Sequence, residues 1–296
     1  MKKRILTLSM CMVLAVGSLA ACTSSQSEGQ SSPAPEKKEE VITAKVIDVN
    51  LTEEQYAFGV DKDQPELLSK TNEYIAKIMS DGTFEEICSH YFGDGTPVPV
   101  TSAELDGSKD QLLVATNAAF EPFEYMDGEN YVGVDMEIAK GLADYLGQEL
   151  VIQNMDFDSV CLSIGQHKSD IAMSGLTIKP EREEYVTFTD PYYEASQKLI
   201  VRSDNHEFDN CSDAAAVEAI FNSKGESARV GVQTGTTGQF YCEGDEEWGF
   251  AGFKMTCTGY KNGSLAVQDL LNKNLDYVVI DSAPADAITK AINAMQ

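Results

Sequence analysis

Basic side chains are scarce in this sequence: 22 lysines and arginines stand against 48 aspartates and glutamates, for a formal charge of −26. Such an excess of acid repels phosphate backbones and anionic headgroups, which argues against nucleic-acid binding and against a polybasic membrane contact. Histidine is rarer still. His90, His167 and His206 are scattered, no CxxC or Cys/His cluster accompanies them, and no structural metal is expected. The sequence also lacks a Walker loop, a GxSxG elbow and an HExxH helix, so neither cofactor-dependent nor triad chemistry has support and no cofactor is expected. Glycine and proline are too few for a collagen-like chain, and 43% hydrophobic residues are too many for a disordered one. What remains is a packed globular body whose 296 residues fit one large domain or two modest ones.

The amino terminus points to a compartment. Lys2, Lys3 and Arg4 precede an apolar stretch, Ile5 to Ala21, which reads as a secretory signal and is short for a spanning helix. Leu19-Ala20-Ala21-Cys22 resembles the lipobox of bacterial lipoproteins. That resemblance implies acylation of Cys22 and anchorage at the outer face of the bacterial cytoplasmic membrane, or a periplasmic location. An ordinary cleaved signal is the alternative. Residues 22–40 are rich in Ser, Gln, Pro and Glu, have no apolar periodicity, and read as a flexible tether. Cys88, Cys161, Cys211, Cys242 and Cys257 remain for the folded part, an odd number at wide spacing. A disulfide-built scaffold does not follow from it; a Cys242–Cys257 bridge stays open, and buried thiols are the plain reading.

From residue 111 onward, strand-like runs alternate with helical ones. Leu112–Ala115, Leu150–Gln153, Asp170–Met173, Leu199–Arg202, Arg229–Val232 and Tyr277–Ile280 read as buried strands. Helical periodicity falls at Ile138, Leu142, Tyr145 and Leu146, at Val217, Ile220 and Phe221, and at Ala287, Ile288, Ala291, Ile292 and Met295. This alternation predicts an α/β protein with largely parallel sheets, whose ligands sit at the carboxyl ends of the strands. The loops there carry Asn117 to Phe123, Ser174 to Arg182, Gln233 to Gly238, and Asp281. One Arg, one Asp, hydroxyls and Gly-rich backbone suit a small zwitterion.

The motifs Gly133-Val134-Asp135-Met136-Glu137-Ile138, Met155-Asp156-Phe157-Asp158, Leu176-Thr177-Ile178 with Arg182, and Phe188-Thr189-Asp190-Pro191-Tyr192-Tyr193 occur in order. Together they resemble the family 3 extracellular solute-binding proteins, the amino-acid receptors of ABC importers. Val134 is a mild departure, where a bulkier residue is usual. The resemblance implies a two-lobed type II periplasmic-binding-protein fold with two crossover hinge strands, closing on its ligand by hinge motion. It also implies a monomer that delivers a free amino acid to a permease.

Residues 55–94 are not bland either. Leu67, Leu68, Thr71, Tyr74, Ile75, Ile78 and Met79 form an amphipathic stripe, and Asp81-Gly82-Thr83 breaks it before a second helix with Phe84, Ile87 and Tyr91. This stretch resembles the carboxyl-terminal end of the same family, whereas the chain stops at Gln296 before that end would come. The expectation is a circularly permuted fold, with 41–58 and 203–296 forming lobe 2, 59–202 forming lobe 1, and 95–109 joining the ancestral ends. Crossings are expected near Tyr56–Val60 and Lys198–Ser203. Val41–Asp48 must then lie beside the helix ending at Gln296. The alternative is a truncated tandem duplication in a swapped oligomer.

Carried over residue by residue, the resemblance puts the α-carboxylate clamp on Arg182, helped by Thr177 and the backbone near Thr237. It puts the α-ammonium on Asp281, with the Gly175 carbonyl and Thr177 hydroxyl beside it. Phe120 and Phe157 would flank the aliphatic part, and Ser174 lies in the loop of Gly175 and Thr177. Asn117 and Gln233 stand at pocket-lining stations, and such a neutral amide pair favours a polar, uncharged amino acid. Glu121 would reverse that if it turned inward. Taken singly, Arg182 reads as a surface ion pair and Phe157 as a core residue. A second functional class is a cyclohexadienyl-dehydratase-like enzyme on the same fold, with Arg182 holding a cyclic carboxylate and an acid such as Glu121 moving a proton.

Overall fold

The computed structural model describes residues 41–93 and 95–296; the signal segment, the tether and Cys22 lie outside the described residues. The front of the described chain contributes three short strands, β1 (Ala44–Ile47), β2 (Glu54–Tyr56) and β3 (Gly59–Asp61), then helices α1 (Pro65–Asp81) and α2 (Thr83–Tyr91). Strand β4 (Gln111–Thr116) is followed by a small meander of β5 (Ala119–Phe120), β6 (Glu124–Asp127) and β7 (Asn130–Val132), and by α3 (Val134–Leu146). Next come β8 (Glu149–Asn154), α4 (Val160–Gly165), β9 (Ile171–Ala172), β10 (Val186–Phe188), β11 (Tyr193–Ala195) and β12 (Gln197–Arg202). The last third holds α5 (Ala214–Ser223), β13 (Arg229–Gln233), α6 (Thr237–Glu243), β14 (Thr256–Tyr260), α7 (Gly263–Leu271), β15 (Tyr277–Asp281) and α8 (Ser282–Asn293).

Two five-stranded sheets make two lobes. Lobe 1 has the order β10-β3-β9-β4-β8 and lobe 2 the order β1-β12-β15-β13-β14, with β2 and β11 paired as an antiparallel ribbon between them. Parallel pairing joins β4 to β8 and β9, and β13 to β14 and β15, while the strands donated by the front segment pair antiparallel. All five residues of β15 are buried, as expected for a strand covered by helices on both faces. Helices α5 and α7 begin where Asp213 and Asn262 accept from the amides of Ala216 and Leu265, which satisfies otherwise orphaned donors.

The front segment is built into both lobes. Strand β1 pairs with β12 in the register Ala44↔Arg202 to Ile47↔Leu199. The end of α8 holds it in place: the Ala44 amide donates to Asn293 Oδ1 at 2.9 Å, and Asn293 Nδ2 donates to the Ala44 carbonyl at 2.8 Å. Val41–Asp48 thus lies beside the last helix. Strand β3 enters the lobe 1 sheet between β10 and β9. Helix α1 ends at Gly82, which at φ +86° takes the left-handed conformation that glycine adopts without penalty and starts α2 directly. Tyr74 of α1 is seated on Gly141 of α3 so closely that a β-carbon there would overlap its hydroxyl. The joining segment 95–109 runs along the lobe 1 edge, with Val100 and Tyr131 exchanging backbone hydrogen bonds and the Ala103 amide donating to the Leu150 carbonyl.

One boundary differs from expectation. Residues 197–202 form β12, wholly inside the lobe 2 sheet between β1 and β15, so lobe 1 does not extend to 202. Leu199, Ile200 and Val201 are a continuous buried run because β12 is an interior strand. The second crossing falls earlier, at β11. The five cysteines from Cys88 to Cys257 are free thiols, Cys242 and Cys257 included.

Candidate ligand-binding site

The loops singled out in the sequence converge where the lobes meet. Arg182 lies in a short 3₁₀ turn after β9, and its guanidinium spans the cleft. It donates to the Thr177 carbonyl of lobe 1 at 2.7 Å and to the Gly235 carbonyl of lobe 2 at 3.0 Å. The Phe157 ring lies below it, 5.2 Å from centroid to guanidinium carbon. The Thr237 and Thr177 hydroxyls approach across the cleft at 3.4 Å, and Gln233 Nε2 donates to Asn117 Oδ1 at 3.1 Å. The Ser174 hydroxyl accepts from the Asn117 amide at 3.0 Å. Gly175, at φ +49°, lets Phe120 pack flat on the turn, since a β-carbon there would stand 2.9 Å from Phe120 Cε1. Nine of the ten residues carried over from the resemblance are therefore joined in three contact groups at one interlobe cleft.

Asp281, the tenth, ends β15 and precedes α8. It accepts from the Tyr56 hydroxyl at 2.5 Å, and Glu54 lies near enough for its charge to act on it. The Glu54 carboxylate accepts from the Thr177 hydroxyl at 2.7 Å, from the Thr52 hydroxyl at 2.6 Å and from Gln197 Nε2 at 3.0 Å. Burial, followed by the charge of Glu54, pushes the Asp281 carboxyl up to about 7. A cation beside it would restore the ionised form.

The structure adds residues that sequence reasoning missed. Glu54 and Tyr56 come from the front segment, 225 positions from Asp281 in the Tyr56 case, and only the topology brings them in. Glu124 is fully buried: Oε1 accepts from the Ser174 hydroxyl at 2.9 Å, and Oε2 has no hydrogen-bond partner among the described residues. Burial, then the nearby Asp135, drives its pKa well above the ordinary carboxylate range. A buried carboxylate with an unmatched oxygen is costly unless a donor reaches it. In β6 the periodicity gave no hint, because Glu124 is buried while Met126 of the same strand is exposed. Glu121 is exposed and does not turn inward.

The site chemistry is thus two-sided. One guanidinium over an aromatic face suits a carboxylate, and the buried acids Asp281 and Glu124 suit cationic groups.

The description "Bacterial extracellular solute-binding proteins, family 3" matches residues 112–294. The arginine-binding extracellular protein ArtP of Bacillus subtilis (strain 168) is 32% identical over 192 residues, which is 64% of this chain and 69% of that protein. ABC transporter arginine-binding protein 1 of Escherichia coli (strain K12) is 30% identical over 175 residues, 59% of this chain and 64% of that protein, so slightly less than two thirds of its length is spanned. Among solved structures, the ancestral amino acid-binding protein AncCDT-1, a precursor of cyclohexadienyl dehydratase, superposes with a TM-score of 0.52 at 31% identity, over 62% of this chain and 74% of that one. With the motifs, the two-lobed fold and a match over more than half its length, the chain belongs to the bacterial extracellular solute-binding proteins, family 3.

Proposed function

We propose that this protein is a lipid-anchored extracellular receptor, acylated at Cys22, that takes a free amino acid between its lobes and delivers it to the permease of an ABC importer. The observation that carries the reading is the placement of Arg182, stacked on Phe157, in one interlobe cleft with Thr177, while Asp281 stands buried on the lobe 2 side. Arg182 takes the α-carboxylate, a charge-assisted contact worth roughly 1.5–3 kcal/mol net. Asp281 takes the α-ammonium. A receptor that releases its ligand unchanged needs no more than these contacts, and the names of the relatives are those of binding proteins.

For the ligand side chain, the neutral pair Asn117–Gln233 favours a polar uncharged amino acid, and the unmatched oxygen of buried Glu124 favours a cationic one. The second observation weighs more, because an unmatched buried carboxylate oxygen costs more than the single neutral amide oxygen, Gln233 Oε1, that the pair leaves without a partner among the described residues. Arginine, which the names of both relatives mention, is the amino acid whose charge and five donors fit that oxygen and the two amides together.

We further propose that the fold is circularly permuted within one chain. The family match leaves out everything before residue 112, yet β1 completes the lobe 2 sheet, β2 the hinge ribbon and β3 the lobe 1 sheet. Titration of the twenty amino acids by calorimetry against wild type and Arg182→Ala tests the receptor reading. The expected result is micromolar or tighter binding of arginine to wild type, on the order of −8 kcal/mol or beyond, and none to the variant. Retained affinity in Arg182→Ala would overturn the carboxylate clamp. If no amino acid binds wild type while a cyclic carboxylate is turned over, the receptor reading falls to the dehydratase one.

A further inference from the structure

Lys179 is the only lysine or arginine among the described residues that is almost fully buried, with 1% of its side chain exposed. It sits in the lobe 1 loop between Thr177 and Arg182, but the cage that holds its ammonium belongs mainly to lobe 2. Nζ lies 3.4 Å from the centroid of the Phe240 ring and 5.9 Å from that of Trp248, and it donates to Asp245 Oδ2 at 2.7 Å. Only Glu181 Oε2, at 2.6 Å, comes from its own loop.

The lobe 2 half of the cage is held by contacts of its own. Asp245 Oδ1 accepts from the amides of Glu247 and Trp248 at 3.0 and 3.2 Å, and the Asp245 and Phe250 backbones exchange two hydrogen bonds of 2.9 Å. Phe250 supports Trp248 at 5.4 Å between ring centroids. The turn therefore does not depend on Lys179 for its shape. Three residues from Lys179, Arg182 reaches the Gly235 carbonyl, which lies just before α6, the helix that carries Phe240. Lobe 1 thus grips lobe 2 twice through one short loop, at the Gly235 carbonyl and at the cage, and Phe157, Arg182, Gly235, Lys179 and Phe240 line one cavity between the two grips.

We propose that Lys179 is a closure latch: a positioning residue that seats in the cage of Phe240, Trp248 and Asp245, holds lobe 2 over the site, and sets the rate at which a bound amino acid leaves. The chemistry fits a reversible latch. In the parted state the ammonium and Asp245 return to water, where each is well solvated, while Glu181 is already more than half exposed. In the closed state an aromatic face and two carboxylates replace that water. A buried charge pair across an interface acts chiefly on dissociation, because it forms after encounter and must break before release.

The inference assumes a ligand in the cleft but not which one, and the test separates the two. The whole protein is compared as wild type, Lys179→Met, Asp245→Asn and the double variant. L-arginine is the probe, and the protein's single tryptophan, Trp248, is the fluorescent reporter in stopped-flow chase experiments. Each single variant should release L-arginine at least about tenfold faster with an association rate unchanged within about twofold, and the double variant should be no faster than the worse single. An unchanged release rate in both singles, or fully additive effects in the double, overturns the latch. Should Lys179→Met fail to fold, Asp245→Asn reads the same contact from the other lobe. If wild type does not bind L-arginine, the ligand assignment fails, and the latch is then read by small-angle scattering on ligand-free protein. A larger radius of gyration in Lys179→Met than in wild type supports it, and equal radii overturn it.

Discussion

Ligand binding should release a proton, and the affinity should fall with acid below about pH 7. The perturbation is the ammonium of the ligand arriving at Asp281, whose carboxyl is held up to about 7 by burial and by the charge of Glu54. A cation at hydrogen-bond distance returns the carboxyl toward the ordinary range near 4, so the bound form carries the carboxylate and the free form carries the acid below pH 7. Each pH unit below that point should then weaken binding by about tenfold, or about 1.4 kcal/mol, which amounts to roughly 100-fold between pH 7 and pH 5. Glu124, with a pKa raised well above its usual value, adds a second proton to the exchange if it meets a cationic side chain. Asp135 is also raised, to about 7, but its oxygens are occupied by the Gly175 amide and the Tyr192 hydroxyl, so it titrates without facing the ligand. The stability of the ligand-free protein runs the other way. Carboxyls whose folded pKa is raised keep a proton that the unfolded chain has lost, so their contribution is full near pH 4 and is lost as pH rises through 7. Ligand-free protein should melt higher at pH 5.5 than at pH 8, and the increment from ligand should be larger at pH 8. Calorimetry at pH 6.5 in phosphate and in Tris, buffers of very different ionisation enthalpy, counts the protons. Equal apparent enthalpies in the two, with an affinity flat from pH 5.5 to 8, would refute the reasoning.

Glu124→Gln keeps the shape of the side chain and removes its charge. L-arginine affinity should drop by more than about tenfold, from loss of a charged hydrogen bond of ~1.5–3 kcal/mol, while L-glutamine affinity should hold, as calorimetry of both ligands would show. Gly141→Ala reads the packing of the front segment. On an isolated helix the change would stabilise by roughly 1 kcal/mol, but a β-carbon overlapping the Tyr74 hydroxyl should make it destabilising by about 1–3 kcal/mol in urea unfolding. Stabilisation instead would mean that α1 does not pack on α3. Tyr74→Phe in the same background should recover part of the loss.

Legibility in the sequence followed burial. Strands buried on both faces, such as Tyr277–Asp281, show as apolar runs and were readable, as were the amphipathic stripes of α1 and α8. Strand β14 leaves no such pattern: its Thr256-Cys257-Thr258-Gly259-Tyr260 lies at the sheet edge and buries no residue fully, so no apolar run marks it. Helix α7 is capped by Asn262, but its nine residues are too few for a long periodic signal. In the site, residues on loops after recognisable strands could be placed in advance. Glu54, Glu124 and Lys179 could not, since each is a charged residue buried by partners distant in sequence, and local pattern assigns such residues to solvent. The amide pair alone suggested an uncharged ligand, and Glu124 shifts that weighting.

If the front segment is the transposed end of an ancestral chain, its position has a mechanical consequence. The described chain leads first into β1, which is clamped between β12 and Asn293 in lobe 2. The chain crosses to lobe 1 only at β2, and it crosses back at β11, the strand paired with it. Both crossings thus run side by side in a two-stranded ribbon, and a bend in one is shared by the other through the register Tyr193↔Tyr56 to Ala195↔Glu54. Tyr56 and Glu54 in this ribbon also touch Asp281 and Thr177, so the ribbon and the residues proposed to hold the ligand are one hydrogen-bonded structure. A ligand ammonium that draws on Asp281 therefore acts directly on the strand that must bend, while Lys179 acts at a separate seam between Thr177 and the turn at Asp245. With Cys22 acylated as proposed, the chain would enter the fold through lobe 2, which carries Asp281 and the cage, and lobe 1, carrying Arg182 and Lys179, would be the lobe that moves relative to the anchor.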